Sequence, residues 1–100
     1  MTSGLRGKQR RYLRGLGTRL DPVVFLGKNA VTDAVLEEIA TALAARELIK
    51  VRLLDSVEGD RKEVARELAD RAGAELVQVL GRTVLLYLRN DEEPSIELPD

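Results

Sequence analysis

Two groups of residues in this chain have the types and spacing to do chemistry, and both point towards anions. The first is Gly27-Lys28-Asn29-Ala30, set between the apolar run "PVVFL" and the helical pattern "VTDAVLEEI". A helix N-terminus presents unpaired backbone N–H groups and the positive end of its dipole, which together suit a phosphate. Gly27 allows a tight turn and a close backbone approach, Lys28 adds a mobile cation, and Asn29 can donate to phosphate or ribose. The second group is Arg6, Arg10 and Arg14, four residues apart and flanked by Lys8 and Arg11. On a helix that spacing makes a continuous basic stripe. Lys50 and Arg52 share one face of a candidate strand and Arg82 sits in a candidate turn, so these could extend the same patch. Neither group is diagnostic alone. Gly-Lys-Asn also occurs in plain turns, and arginines also solvate ordinary helices.

Enzymatic chemistry is poorly provided for. The sequence has no histidine and no cysteine, which removes the commonest neutral-pH acid–base, disulfides, redox thiols and the usual zinc ligands. Ser3, Ser56 and Ser95 are the serines, and none lies in a nucleophile elbow. Asp33, Glu37 and Glu38 share one helical pattern and Glu63 and Glu67 another, interleaved with basic residues as on a solvated face. The glycine loop fits neither the Walker A pattern nor a dinucleotide fingerprint. The expectation is a non-enzyme with no cofactor, no metal and no small-molecule substrate. Apolar runs reach about five residues, against the ~20 of a membrane-spanning helix, and no signal-peptide pattern opens the chain. A soluble, cytoplasmic domain without membrane contact is expected.

The elements that must position these residues follow from periodicity. Leu5, Tyr12, Leu13 and Leu16 fall on one helical face, so a first helix should pack by Tyr12, Leu13 and Leu16 and turn its arginines outward. Ser3 is its candidate cap, and Gly15 and Gly17 end it. "PVVFLG" reads as a buried strand, followed by a helix to about Ala45, capped by Asn29 or Thr32 and packing by Val35, Leu36, Ile39, Ala42 and Leu43. "ELIKVRLL" alternates as a half-buried strand. A third helix carries Val64, Leu68 and Ala72 inward and stops at Gly73. "ELVQVL" and "TVLLYL", separated by Gly81-Arg82, spell a tight hairpin with a type II′ turn.

The order is therefore α-β-α-β-α-β-β: one compact α/β domain over residues 1–90, with a four-stranded mixed sheet, three helices and right-handed parallel crossovers. With 44% hydrophobic residues and three aromatics, the core must be aliphatic. All three aromatics, Tyr12, Phe25 and Tyr87, are expected to be packed, leaving base stacking little part in any nucleic-acid contact. The net charge of −1 conceals a segregation. Residues 1–20 hold six basic residues and no acid, and residues 91–100, "DEEPSIELPD", hold five acids and two prolines. This last stretch reads as a mobile acidic tail.

Four blocks together resemble a known family: "KQRRYLRGLG", "PVVFLGKNAVTDAVLEEI", "ELIKVRL" and "GAELVQVLGRTVLLYL", running from about Leu5 to Tyr87. They are similar to the CRM domain (chloroplast RNA splicing and ribosome maturation), in particular its small stand-alone bacterial YhbY-type members. The resemblance implies an RNA-binding α/β domain shaped like the C-terminal domain of translation initiation factor three. It further implies association with precursor large-subunit ribosomal RNA and a part in ribosome assembly; multi-domain plant relatives serve group II intron splicing. Structured RNA is the expected partner, with ribosomal proteins as further candidates. The family's GxxG loop falls on Gly27 to Ala30, with alanine in place of the second glycine. Ala30 is expected at the start of the second helix with negative φ, where alanine is harmless. The "LYR" of many members is "LYLR" here, which places Arg89 one residue later. The rival reading is a protein adapter that docks on ribosomal particles through its acidic surface, with RNA contact secondary.

Overall fold

Local sequence places seven elements, and a computed structural model describes them over residues 4–100. They are α1 (Gly7–Gly17), β1 (Pro22–Leu26), α2 (Asp33–Arg46), β2 (Leu48–Leu53), α3 (Arg61–Ala72), β3 (Glu75–Leu80) and β4 (Thr83–Tyr87). Ser3, the candidate cap of the first helix, lies outside the described residues; Arg6 holds the N-cap position of α1. β1 opens on Pro22 at a sheet edge, where a missing N–H costs no ladder bond. α2 starts where the Thr32 hydroxyl accepts from the Val35 N–H at 3.2 Å. α3 is capped by Asp60, which accepts from Lys62 N–H at 2.8 Å, and stops at Gly73 with φ +68. In the hairpin Gly81 has φ +57 and Arg82 does not share a positive φ, as a type II′ turn requires.

The sheet order is β1-β2-β4-β3. β1 and β2 pair in parallel across α2, and the β3–β4 hairpin inserts β4 antiparallel beside β2. β2 and β3 thus run in one direction on either side of β4, and the mixed α/β architecture read from the sequence is the one observed. The Cα radius of gyration is 12.7 Å.

Period-2 alternation sends Val24, Leu26, Ile49, Val51, Leu53, Val84 and Leu86 to one face, under Ile39 and Leu43 of α2 and Ala65, Leu68 and Ala69 of α3. The other face holds a smaller cluster, in which Leu13 of α1 meets Leu48, Val77, Leu85 and Tyr87. α1 sits very close to the sheet: a Cβ on Gly17 would lie 2.6 Å from Leu85 Cδ2. Gly17 therefore does more than end a helix. Of the three side chains expected to pack α1, Leu13 alone is buried; Tyr12 and Leu16 remain 43% and 37% exposed.

Residues 95–99, within the stretch 91–100 read as a mobile acidic tail, contact the domain. Ile96 and Leu98 pack against the α1-side cluster, and Gln9 Nε2 donates to Pro99 C=O at 3.1 Å. The anchor is Glu47, buried at the end of α2 with φ +62. Its Oε2 accepts from Asn90 N–H at 2.6 Å, and its Oε1 accepts from the N–H groups of Ser95 and Ile96 at 2.9 and 2.8 Å and from the Ser95 hydroxyl at 3.0 Å. Burial works against this carboxylate, but those donors together hold its pKa below the ordinary value.

Candidate nucleic-acid interface

The loop after β1 does not run directly into α2. Lys28 and Asn29 form a turn closed by Ala30 N–H donating to Gly27 C=O at 2.9 Å. Ala30 itself has φ +49, and the helix begins only at Asp33. The expectation of a helix-opening Ala30 with negative φ is thereby corrected. A left-handed residue closes the turn, and Thr32, with a hydroxyl to offer, takes the capping position. Alanine in that region costs on the order of 1 kcal/mol, and its methyl group packs against the main core. This is the position that the GxxG pattern gives to glycine, which enters the left-handed region without strain. Gly27, by contrast, has no positive φ, and a Cβ there would meet Ser56 Oγ at an ordinary 3.8 Å. The anion-binding potential therefore lies in the exposed turn residues Lys28 and Asn29 rather than in the first turn of α2.

The basic stripe on α1 is also less uniform than its spacing suggests. Lys8 and Arg11 are exposed and Arg14 is half-buried. Arg6 is exposed, and its backbone N–H is tied to Gln9 Oε1 at 3.1 Å. Arg10 turns inward, and its guanidinium donates to the carbonyls of Leu76 and Val77 where the β3 ladder shifts register. A bulge leaves carbonyls without strand partners, and an arginine fork suits them. Arg10 is thus a bracket between α1 and β3, which corrects the expectation that it points outward.

Register sets where the pieces sit. Gly4 N–H meets Glu75 at the start of β3 (3.2 Å), while Gly17 faces Leu85, so α1 runs in the direction of β3. Arg6 and Lys8 therefore lie towards the strand end that Glu75 and Tyr87 mark, and the Gly27–Ala30 loop lies at the opposite end. At that loop end, Leu54 N–H donates to Leu26 C=O (2.9 Å) and Leu53 N–H to Arg82 C=O (2.7 Å), which joins the loop, the β2–α3 connection and the hairpin turn. Arg52 points to the α1 side and is exposed; Lys50, on the same side, is half-buried. Arg82 Nε pairs with Asp55 at 3.4 Å, so its charge is partly answered within the domain. Lys8, Arg11, Arg14, Lys28, Lys50 and Arg52 have no carboxylate within 4.0 Å among the described residues.

Sequence reasoning missed two features. Phe25 was expected to be packed but is 51% exposed, on the α1 side beside Arg52. Its alternation against Val24 and Leu26 was the available signal. Glu47 carried no local signal, because the donors that hold it come from residues 90–96. Among the described residues no group of acidic side chains could hold a metal ion.

A family model for the CRS1/YhbY (CRM) domain matches residues 5–88. The chain belongs to the CRM domain family. This CRM domain is 44% identical over 95 residues to the Bacillus subtilis "Probable RNA-binding protein YqeI", covering 95% of the chain and 99% of that relative. It is 39% identical over 92 residues to a Haemophilus influenzae "RNA-binding protein", covering 92% of each. The solution structure of a Staphylococcus aureus protein described as an RNA-binding candidate superposes on it with a TM-score of 0.81 at 41% identity, covering 95% of this chain and 99% of that one.

Proposed function

We propose that this chain is a cytoplasmic RNA-binding protein that engages precursor large-subunit ribosomal RNA through backbone and shape and assists ribosome assembly. The observation that carries the RNA reading is a basic cluster centred on α1, a helix without a single acidic residue. Lys8, Arg11, Arg14, Lys28, Lys50 and Arg52 lie on α1, in the β1–α2 loop and on the α1 side of the sheet, without carboxylate partners among the described residues. Elsewhere Arg71, Arg82 and Arg89 are each paired with an acid, and the cations of α2 and α3 left unpaired among the described residues, Arg46, Arg61, Lys62 and Arg66, lie among the acidic residues of those helices. The names of the relatives support the same reading. The choice of large-subunit precursor rests on what the CRM resemblance implies for bacterial members.

Four to six phosphate contacts give a log–log salt slope of roughly −3 to −5 for binding a structured ribosomal RNA fragment. A variant with Lys28→Glu and Arg11→Glu should fold as the parent does and lose most of that affinity. Unchanged affinity, or binding indifferent to salt, would overturn the proposal. Sedimentation of the protein with large-subunit precursors should be lost on nuclease treatment; retention would favour the adapter reading instead.

A further inference from the structure

The half of the sheet that α1 leaves uncovered carries a line of side chains of which backbone recognition uses Arg52 alone. Phe25 of β1 pairs with Arg52 of β2, Arg52 with Thr83 of β4, and Thr83 with Leu80 of β3. Directly paired residues stand on one side of a sheet, and their strand neighbours Val24, Val51, Val84 and Val79 pack into the core on the other. One row therefore crosses all four strands on the α1 side, about 14 Å at ~4.8 Å per strand. Its two ends are the most exposed large hydrophobic side chains of the described residues, Phe25 at 51% and Leu80 at 66%.

The chemistry around the row limits what it can hold. Arg52 sits inside it, Lys50 follows on the same side one row below, and Lys28 lies three residues beyond Phe25. Among the described residues none of these cations is paired with a carboxylate, and none of the row's members is acidic. An apolar protein partner seated here would strip water from Arg52 and Lys50 without answering their charge. An unpaired nucleotide meets both demands: its base offers a flat face to the Phe25 ring, and its phosphates answer Arg52 and the lysines. We propose that this row is a stacking platform for unpaired nucleotides of the bound RNA, with Phe25 as the stacking surface and Arg52 and Lys50 as its phosphate contacts. The inference rests on the RNA-binding reading above and extends it from backbone recognition to single-stranded segments.

The test uses the full chain with two probes, a single-stranded RNA dodecamer carrying one 2-aminopurine and a blunt duplex of the same length. Phe25→Ala should fold with a melting temperature near that of the parent, since the ring is half exposed. It should weaken binding of the single strand on the order of 10-fold, leave its salt slope unchanged, and leave duplex binding within a factor of about two. Phe25→Tyr should keep the parent's affinity and its quenching of 2-aminopurine, and Phe25→Leu should lose both. Arg52→Ala should lower the single-strand salt slope by about 0.7. The platform is refuted if Phe25→Ala or Phe25→Leu binds the single strand as the parent does, or if single strand and duplex weaken alike. If the parent binds neither probe, the RNA reading itself falls and the platform with it. A parent that binds both, with a steep salt slope and an indifferent Phe25→Ala, removes the platform alone.

Discussion

On one side of the sheet, Val24, Leu26, Ile49, Val51, Leu53, Val84 and Leu86 lie sealed under α2 and α3; on the other, Leu48, Val77, Leu85 and Tyr87 are covered, while the row from Phe25 to Leu80 stays open. Both faces come from the same strand alternation, and they differ in what is laid over them. Two helices about 10 Å wide span four strands, whereas one cannot. α1 packs on β2 and β3, close enough for Gly17 to touch Leu85, and leaves Phe25 of β1 half exposed. A sheet face thus becomes core or contact surface according to the number of helices available to it. In this chain the half-covered face also carries Lys50 and Arg52, which have no carboxylate partner among the described residues.

That contrast can be broken hardest from the sealed side. Leu43→Ala empties a fully buried position beneath α2 and should cost about 2–5 kcal/mol in chemical denaturation. Leu80→Ser, on the open row, should stay within about 0.5 kcal/mol of the parent. Equal losses would mean that the open row is structural core after all.

Glu47 sharpens the comparison on the α1 side, where a buried charge takes the place of a second helix. Glu47→Gln should cost about 2 kcal/mol at pH 7, because up to four donors lose an ionised acceptor. The sign with pH follows from the lowered pKa. The carboxylate's contribution is fully present above the unfolded glutamate value, about 4.3, and fades as pH falls through the lower folded value. Parent and Glu47→Gln should therefore converge in stability on acidification; a gap that widens below pH 4 would contradict the hydrogen-bond account. Gly17→Ala, which must push Leu85 aside, should cost about 1–2 kcal/mol by thermal melting. No loss would show that α1 can ride away from the sheet freely.

Much of the fold was legible because its signals are local. The alternation of Ile49, Val51 and Leu53, the left-handed stop at Gly73 and the Gly81-Arg82 turn each depend on neighbours within a few residues. The site was less legible, because exposure depends on what lies above a residue. Tyr12, Leu16 and Phe25 look like core material in sequence, and only the reach of α1 across the sheet decides otherwise. Arg10 and Arg11 are the same residue type one position apart, yet one brackets the β3 bulge while the other stays in solvent. At Ala30 the loop pattern pointed to the right residue, but the conformation followed from Thr32 being the better cap.

Glu47 ends α2, lends its carbonyl to Leu88 N–H at 2.8 Å, and grips residues 90–96 with one carboxylate. A protease that needs an extended strand in its cleft cannot take Ser95 or Ile96 while those amides are engaged. Cleavage at those two residues would first have to break their hydrogen bonds to Glu47. One side chain thus fastens the acidic end of the chain to the far end of α2, more than forty residues away in sequence.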